Sequence, residues 1–252
     1  MEKIMLSEEK QVYRIGNQVH RPAGPWSMPI WRLLKHFEAQ DLPVERILSI
    51  ENGEQISEFF EGKQVHPRKW TDDALFEIGA LVAKLHHGVK SFQATENDIW
   101  QPWYLREIGG NDRIFCHGDI APWNMMTENG HPKLLIDWEF AGPLDPLVEL
   151  ARICWLFAQL HDDDLQTLHD LPSAGKRAEQ VRIIADGYGL PAKERARLVD
   201  QIIEVIICET AHEAIDPGLT FDSTGSLWGF AWRTRSLYWV WRNQEILRRC
   251  LV

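Results

Sequence analysis

Hydrophobic positions in the first sixty residues come in short, strand-length runs separated by turn residues. Residues 11–21 read Q-V-Y-R-I-G-N-Q-V-H-R, two β-prone runs on either side of Gly16-Asn17, which predicts a hairpin. Pro22, Pro25 and Pro29 then interrupt regular structure. From about Ile30 to Gln40 the pattern changes period. Ile30, Leu33, Leu34 and Phe37 fall at helical spacing. Residues 46–51 and 55–60 form a second hairpin around Asn52-Gly53. The expectation is a small β-rich lobe with one helix, residues 1–62, ending near Gly62.

From residue 63 to 252 the pattern is mainly helical. Thr71 or Asp72 can cap a helix whose Leu75, Ile78, Val82 and Leu85 make one stripe. Asp145-Pro146 combines an N-cap residue with proline at the first helical position, and Leu147, Leu150, Ala151 and Cys154 continue the face. The segment 192–213 is apolar on most sides around Ile202–Cys208, which predicts a central buried helix. A last helix, from about Ser226 to Arg249, carries Trp228, Trp232, Trp239 and Trp241. The fold class expected is α+β, a small sheet followed by a larger helical part.

Between those helices lies a stretch with another period. Ile114–Cys116 is short and β-prone. Asn124–Met126 and Lys133–Asp137 flank Glu128-Asn129-Gly130, a third turn signal. A hairpin here sets Asn124 and Asp137 at its two open ends, about 5 Å apart at the backbone. One metal ion could then be shared by the amide oxygen of Asn124 and the carboxylate of Asp137.

Charge and cysteine usage narrow the function classes. Lys and Arg total 27 against 37 Asp and Glu, a net charge of −10, which argues against the basic face of a nucleic-acid binder. The four cysteines are scattered without C-x-x-C spacing, as in reduced thiols rather than a disulfide frame or zinc site. The N-terminus has no apolar core of signal-peptide length, and no apolar run approaches the roughly 20 residues of a membrane span. The expectation is a cytoplasmic protein acting on neither membrane nor nucleic acid. Twelve tryptophans imply large buried aromatic surfaces or aromatic pocket walls.

The chemistry concentrates between Phe115 and Asp137: F-C-H-G-D-I-A-P-W-N, a turn, then K-L-L-I-D. It supplies a candidate base, a neutral oxygen ligand five residues later and an anionic ligand. Phosphoryl transfer with a divalent metal needs those groups and little else, because its catalysis is mostly positioning and charge neutralisation. H-G-D-I-A-P-W-N, then L-L-I-D-W-E, then G-P-L-D-P-L-V-E-L-A resembles the aminoglycoside phosphotransferase/choline kinase family over about Ile114–Arg152. The resemblance implies a protein-kinase-like fold with two lobes and transfer of the γ-phosphate of ATP to a hydroxyl of a small molecule. It makes Asp119 the catalytic base, has Asn124 and Asp137 hold Mg2+ against the ATP phosphates, and gives His117 the part of orienting the catalytic loop. Asp145 resembles the acidic residue that opens the next helix and supports that loop.

The small lobe departs from the pattern. No glycine-rich phosphate loop precedes the first hairpin. The strand lysine of the family is matched by Arg21, or else Arg14, and the helix glutamate that should pair with it falls near Ile30, with Glu38 about two turns too late. Ile56–Gly62 resembles the inter-lobe hinge, where adenine would bond to backbone near Glu58–Phe60 with Phe59 or Phe60 packed beside it. These departures keep a second reading open: a non-catalytic kinase-like protein that binds nucleotide or another ligand. A third, a metal-dependent hydrolase, would use His117, Asp119, Asp137 and Glu139 together. The acceptor side offers Glu204, Glu209, Glu213, Asp216 and Asp222 with Trp228 and Trp232, a set compatible with a cationic acceptor through carboxylates and cation–π attraction.

Overall fold

The computed structural model describes residues 2–65, 69–161 and 171–251. The N-terminal part is a five-stranded antiparallel sheet in the order β1-β2-β3-β5-β4. Its strands are β1 (Lys3–Ser7), β2 (Val12–Ile15), β3 (Gln18–Pro22), β4 (Ile47–Glu51) and β5 (Glu54–Glu58). Helix α1 (Ser27–Glu38) crosses between β3 and β4 and buries Ile30, Leu33, Leu34 and Phe37. Both predicted hairpins are present. The turn residues Gly16, Asn52 and Gly53 take the positive φ that such turns require. Strand β1 is an addition: it pairs with β2 from Lys3↔Ile15 to Ser7↔Val12, so a further turn over residues 8–11 precedes the predicted hairpin.

Helix α2 (Asp72–Gly88) starts at Thr71, whose hydroxyl accepts from the Ala74 amide at 3.2 Å. The helix packs on α4 (Ala174–Tyr188), which the sequence pattern does not announce. The contact runs through two glycines. A Cβ on Gly79 would lie 2.2 Å from the Ile184 carbonyl, and one on Gly187 would lie 2.1 Å from that of Phe76. No other residue allows that backbone approach. Helices α3 (Pro146–Phe157), α5 (Ala192–Ile215) and α6 (Trp228–Leu251) complete the helical part.

Among these, α3 carries the predicted N-cap, with Asp145 accepting from the Leu147 amide at 2.8 Å. It is buried along its whole length. The expectation for α5 needs correction. Leu198, Val199, Ile202, Val205 and Ile206 are buried, yet Ile207 is 51% exposed, so the helix covers the core on one side only. The tryptophans of α6 divide likewise: Trp239 is fully buried, Trp232 stacks on Trp155 at 5.1 Å, and Trp228 and Trp241 are exposed.

Two small sheets sit between the β-rich and helical parts. Strands β6 (Ile114–Cys116) and β9 (Gly142–Leu144) pair antiparallel, and so do β7 (Met125–Glu128) and β8 (His131–Leu135). Single bridges join the β7–β8 hairpin to the segments that follow α1 and β5, Val44 to Leu135 and Lys63 to Thr127. Among the described residues no helix is long and apolar enough to cross a membrane.

Candidate active site

The loop joining β6 to β7 depends on Gly118. Its φ is +84°, and a Cβ there would lie 2.4 Å from the Phe140 carbonyl, so the loop can pass beneath residues 138–140 only as glycine. Its amide donates to Glu149 Oε1 at 2.6 Å, and Glu149 Oε2 meets His86 Nε2 at 2.7 Å, both wholly inside the protein. A buried, charge-assisted acceptor on α3 thus holds the loop from below.

His117 is buried between two backbone groups. Its Nδ1 accepts from the Asp119 amide at 3.2 Å and its Nε2 faces the Ile136 carbonyl at 3.0 Å. A carbonyl can only accept and an amide can only donate, which fixes the neutral tautomer with hydrogen on Nε2. Burial pushes the imidazole pKa down, in the same direction. With both nitrogens committed, His117 cannot ligate a metal without losing one partner. The hydrolase reading required that ligand.

Asp119, Asn124 and Asp137 come together around this histidine. The Asn124 amide nitrogen donates to the Asp119 carbonyl at 2.9 Å and to Asp119 Oδ2 at 3.0 Å. Its Oδ1 is thereby turned away and accepts no hydrogen bond among the described residues. The Ile136 amide bonds the Asn124 carbonyl at 3.0 Å, tying the two open ends of the β7–β8 hairpin together beside Asp137. Asp137 itself adopts the left-handed conformation, with φ +66°. Such a conformation in a non-glycine residue is costly and persists only where surrounding contacts enforce it.

The two aspartates are tuned in opposite directions. Burial raises the Asp119 pKa above the ordinary range, and the nearby Arg152 and His117 offset only part of that. Burial would raise Asp137 too, but Arg21 and Lys10 outweigh it and hold the carboxylate below its usual value. A divergence of this kind suits one group to taking a proton and the other to staying anionic.

Arg21, on β3, donates from Nη1 to Asp137 Oδ1 at 2.8 Å, and its Nη2 lies 4.0 Å from Glu45 Oε2. The anion beside this strand cation comes from the segment after α1 rather than from the helix, which is why no helix position matched. Arg21 Nε and Glu45 Oε1 are buried without a hydrogen-bond partner. Arg14 points elsewhere, bonding the Gly16 carbonyl at 2.6 Å with its guanidinium 3.5 Å from the Phe59 ring centroid. The Glu58 and Phe59 amides are committed to Arg46 O at 2.8 Å and Asn17 O at 3.0 Å. The backbone of Phe60–Gly62 makes no hydrogen bond among the described residues.

A model of the phosphotransferase enzyme family matches residues 63–199. The chain belongs to that family. Over 246 residues it is also 38% identical to a trifolitoxin immunity protein of Rhizobium leguminosarum bv. trifolii, covering 95% of this chain and 94% of that one. Solved structures share the fold at low identity. The amicoumacin kinase hAmiN, in complex with AMP-PNP, Ca2+ and Ami, superposes with a TM-score of 0.68 at 12% identity over 98% of this chain and 87% of that one. A macrolide 2'-phosphotransferase from Brachybacterium faecium gives 0.60 at 15% identity, over 87% and 88%. A choline/ethanolamine kinase family protein from Mesorhizobium loti gives 0.55 at 16% identity, over 95% and 89%. The protein-kinase-like two-lobe fold is therefore established, and so is the phosphotransferase class.

On the far side of Asp119 this phosphotransferase carries a chain of alternating charges. Arg152, on α3, reaches Asp119 Oδ1 at 2.8 Å, the Ile120 carbonyl at 3.0 Å and Glu209 Oε1 at 2.5 Å. Arg233 continues from Glu209 Oε2 at 3.4 Å to Glu213 Oε2 at 3.0 Å. Alongside runs a cleft of about 510 Å³ walled by Trp103, Tyr104, Glu107, Phe140, His212 and Asp216. A smaller hollow beside it adds Glu209 and Glu213. Of the residues expected on the acceptor side, Glu209, Glu213 and Asp216 line these spaces; Glu204, Asp222, Trp228 and Trp232 do not. Sequence reasoning missed Lys10, Glu45, Arg152 and His212. Each acts through a contact distant in sequence.

Proposed function

We propose that this phosphotransferase moves the γ-phosphate of ATP to a hydroxyl of a small molecule. Asp119 is the base, and Asn124 and Asp137 hold a magnesium ion. The observation that carries this is the fork of Asn124: both amide hydrogens go to Asp119, leaving its oxygen with no protein donor among the described residues. A carboxylate and a neutral amide oxygen form a hard donor set suited to Mg2+ or Ca2+. That ion, when bound, neutralises charge on the phosphates.

The remaining work falls to the chain's own groups. The acceptor hydroxyl gives its proton to Asp119, whose raised pKa brings it nearer the operating pH. Arg152 and Asn124 fix that carboxylate from both sides, and His117 stiffens the loop. Arg21 is the strand cation that binds phosphate. Residues 1–62 serve as the nucleotide lobe and 63–252 carry the catalytic loop and acceptor pocket. Adenine would bond to the unpaired backbone of Phe60–Gly62, next to the expected Glu58–Phe60 segment. The carboxylates and aromatic faces around Tyr104 favour an amine-bearing acceptor. The 38% identical relative is named as an immunity protein, so toxins bearing hydroxyl and amine groups belong in the acceptor panel.

Thermal unfolding with Mg2+ and ATP tests the nucleotide half. The wild type should gain stability and Asp137→Ala should not. ADP release against a panel of hydroxylated metabolites, aminoglycosides and toxins bearing hydroxyl and amine groups tests the transfer half. An absence of any stabilisation by Mg–ATP in the wild type would overturn the proposal.

A further inference from the structure

The turn between β1 and β2 lies directly over the proposed metal-binding carboxylates, and it is chemically unlike a phosphate-cradling loop. It reads Ser7-Glu8-Glu9-Lys10-Gln11, without glycine and with two acidic side chains. Two of its amides are already spent. The Lys10 amide donates to Ser7 Oγ at 3.2 Å, and the Gln11 amide donates to the Glu8 carbonyl at 3.3 Å. Those two N–H groups are not available to hold phosphate, the usual device of such a turn. One side chain points inward instead. Lys10 Nζ lies 3.4 Å from Asp137 Oδ2 and bonds Glu139 Oε1 directly, across a sequence separation of 127 and 129 residues.

Asp137 and Glu139 are two carboxylates on one short segment, each mostly shielded from solvent, at 21% and 22% side-chain exposure. They repel one another unless a cation sits between them, and in this structure the cation is the Lys10 ammonium. Arg21 takes the other oxygen of Asp137. The Lys10 side chain is about half exposed, on a flexible four-carbon stem, so it can leave without breaking the fold.

We propose that Lys10 is a phosphate-binding residue of the nucleotide site and, without nucleotide, the counter-ion of Asp137 and Glu139. This rests on the metal–nucleotide reading of the site given above. With a divalent cation held by the carboxylates, the Lys10 ammonium would turn to the phosphates, adding a side-chain donor where two backbone donors of the turn are already used. One residue thus opposes the metal alone and favours the metal–nucleotide complex.

Those opposite signs make the test. Mn2+ binding without nucleotide, followed by its electron paramagnetic resonance, should tighten in Lys10→Met by roughly threefold to tenfold, because a competing cation is gone. Calorimetric affinity for Mg–ATP and Mg–ADP should weaken about tenfold in the same variant, the size of one charge-assisted hydrogen bond, while adenosine affinity stays unchanged. Lys10→Arg should restore most of the nucleotide affinity. If Lys10→Met leaves both Mn2+ and nucleotide affinity as in the wild type, Lys10 is an ordinary surface ion pair and the proposal is overturned. Weakening of both together would overturn the counter-ion role. Failure of the wild type to bind Mg–ATP would instead refute the nucleotide reading itself, so the two failures are distinguishable.

Discussion

Replacing Arg152 with methionine should destabilise the helical lobe more than most single substitutions. Arg152 is 4% exposed and serves three acceptors on two segments: Asp119 and Ile120 on the loop, and Glu209 on α5. Methionine fills much of the volume but carries no charge, so two carboxylates lose their buried partner. Glu209 keeps Arg233 at 3.4 Å, and Asp119 keeps only the Asn124 amide. Breaking a buried pair by removing one member costs about 3–5 kcal/mol. For a chain of this size that corresponds to a fall of roughly 6–20 °C in the unfolding midpoint. Arg152→Lys would keep the charge and lose the fork, costing about 1–3 kcal/mol.

The pH dependence has a definite sign. The pKa of Asp119 is already raised by burial, and Arg152 is the principal group pulling it back. Without Arg152 it rises further. A carboxyl with a raised folded pKa destabilises the protein where it is ionised, above its unfolded value. The deficit of Arg152→Met should therefore be full above the variant's folded Asp119 pKa and shrink as pH falls through it. Urea unfolding of the two proteins between pH 5 and about pH 8 measures it. A variant within about 1 kcal/mol of wild type across that range would refute the buried network.

Two further outcomes follow from the same geometry. The acid limb of kcat/KM should be set by Asp119 and lie above the ordinary aspartate value of about 3.9, since the raised pKa means the base form is lost at a higher pH. A pH–rate profile with its acid limb at or below that value would contradict the assignment. Asp145→Ala removes the acceptor of both the Leu147 amide at 2.8 Å and the Gly110 amide at 2.6 Å, so α3 should lose its cap at a cost of about 1–2 kcal/mol, measured by urea unfolding.

Much of this site was legible in the sequence because its parts are local. Asp119 and Asn124 are five residues apart on one loop, and the Asn129-Gly130 turn brings Asp137 back to them. Partners of those residues were not legible. Lys10 meets Asp137 across 127 residues, Glu45 comes from an irregular segment, and Arg152 sits 33 residues beyond Asp119 on a helix buried from Leu147 to Phe157. Arg21 was the nearer match to the strand cation, with Arg14 as the alternative. Arg14 lies opposite Val19 and Arg21 two residues beyond it, so both occupy one face of the sheet; their contacts separate them, Arg21 meeting Asp137 and Arg14 lying over Phe59.

Helices show the same division. Asp145-Pro146 and Thr71 announced two starts correctly through capping chemistry. Helix α4 escaped notice because its buried face includes Arg177 and Gln180 among Ala178, Val181 and Ile184, which blurs the apolar stripe. Helix α5 was taken as buried on most sides because apolar residues surround it, yet Ile207 faces solvent. An apolar residue on a helix need not be inside.

The most direct test of the central claim is single-turnover phosphoryl transfer by Asp119→Asn, measured with the acceptor found in the panel and alongside calorimetric binding of Mg–ATP. Asparagine keeps the shape and the contact to Asn124 but cannot take a proton. The account predicts nucleotide affinity near that of the wild type and a transfer rate reduced by about 10²-fold to 10⁴-fold, the usual contribution of a general base. Transfer at the wild-type rate, with binding intact, would contradict it.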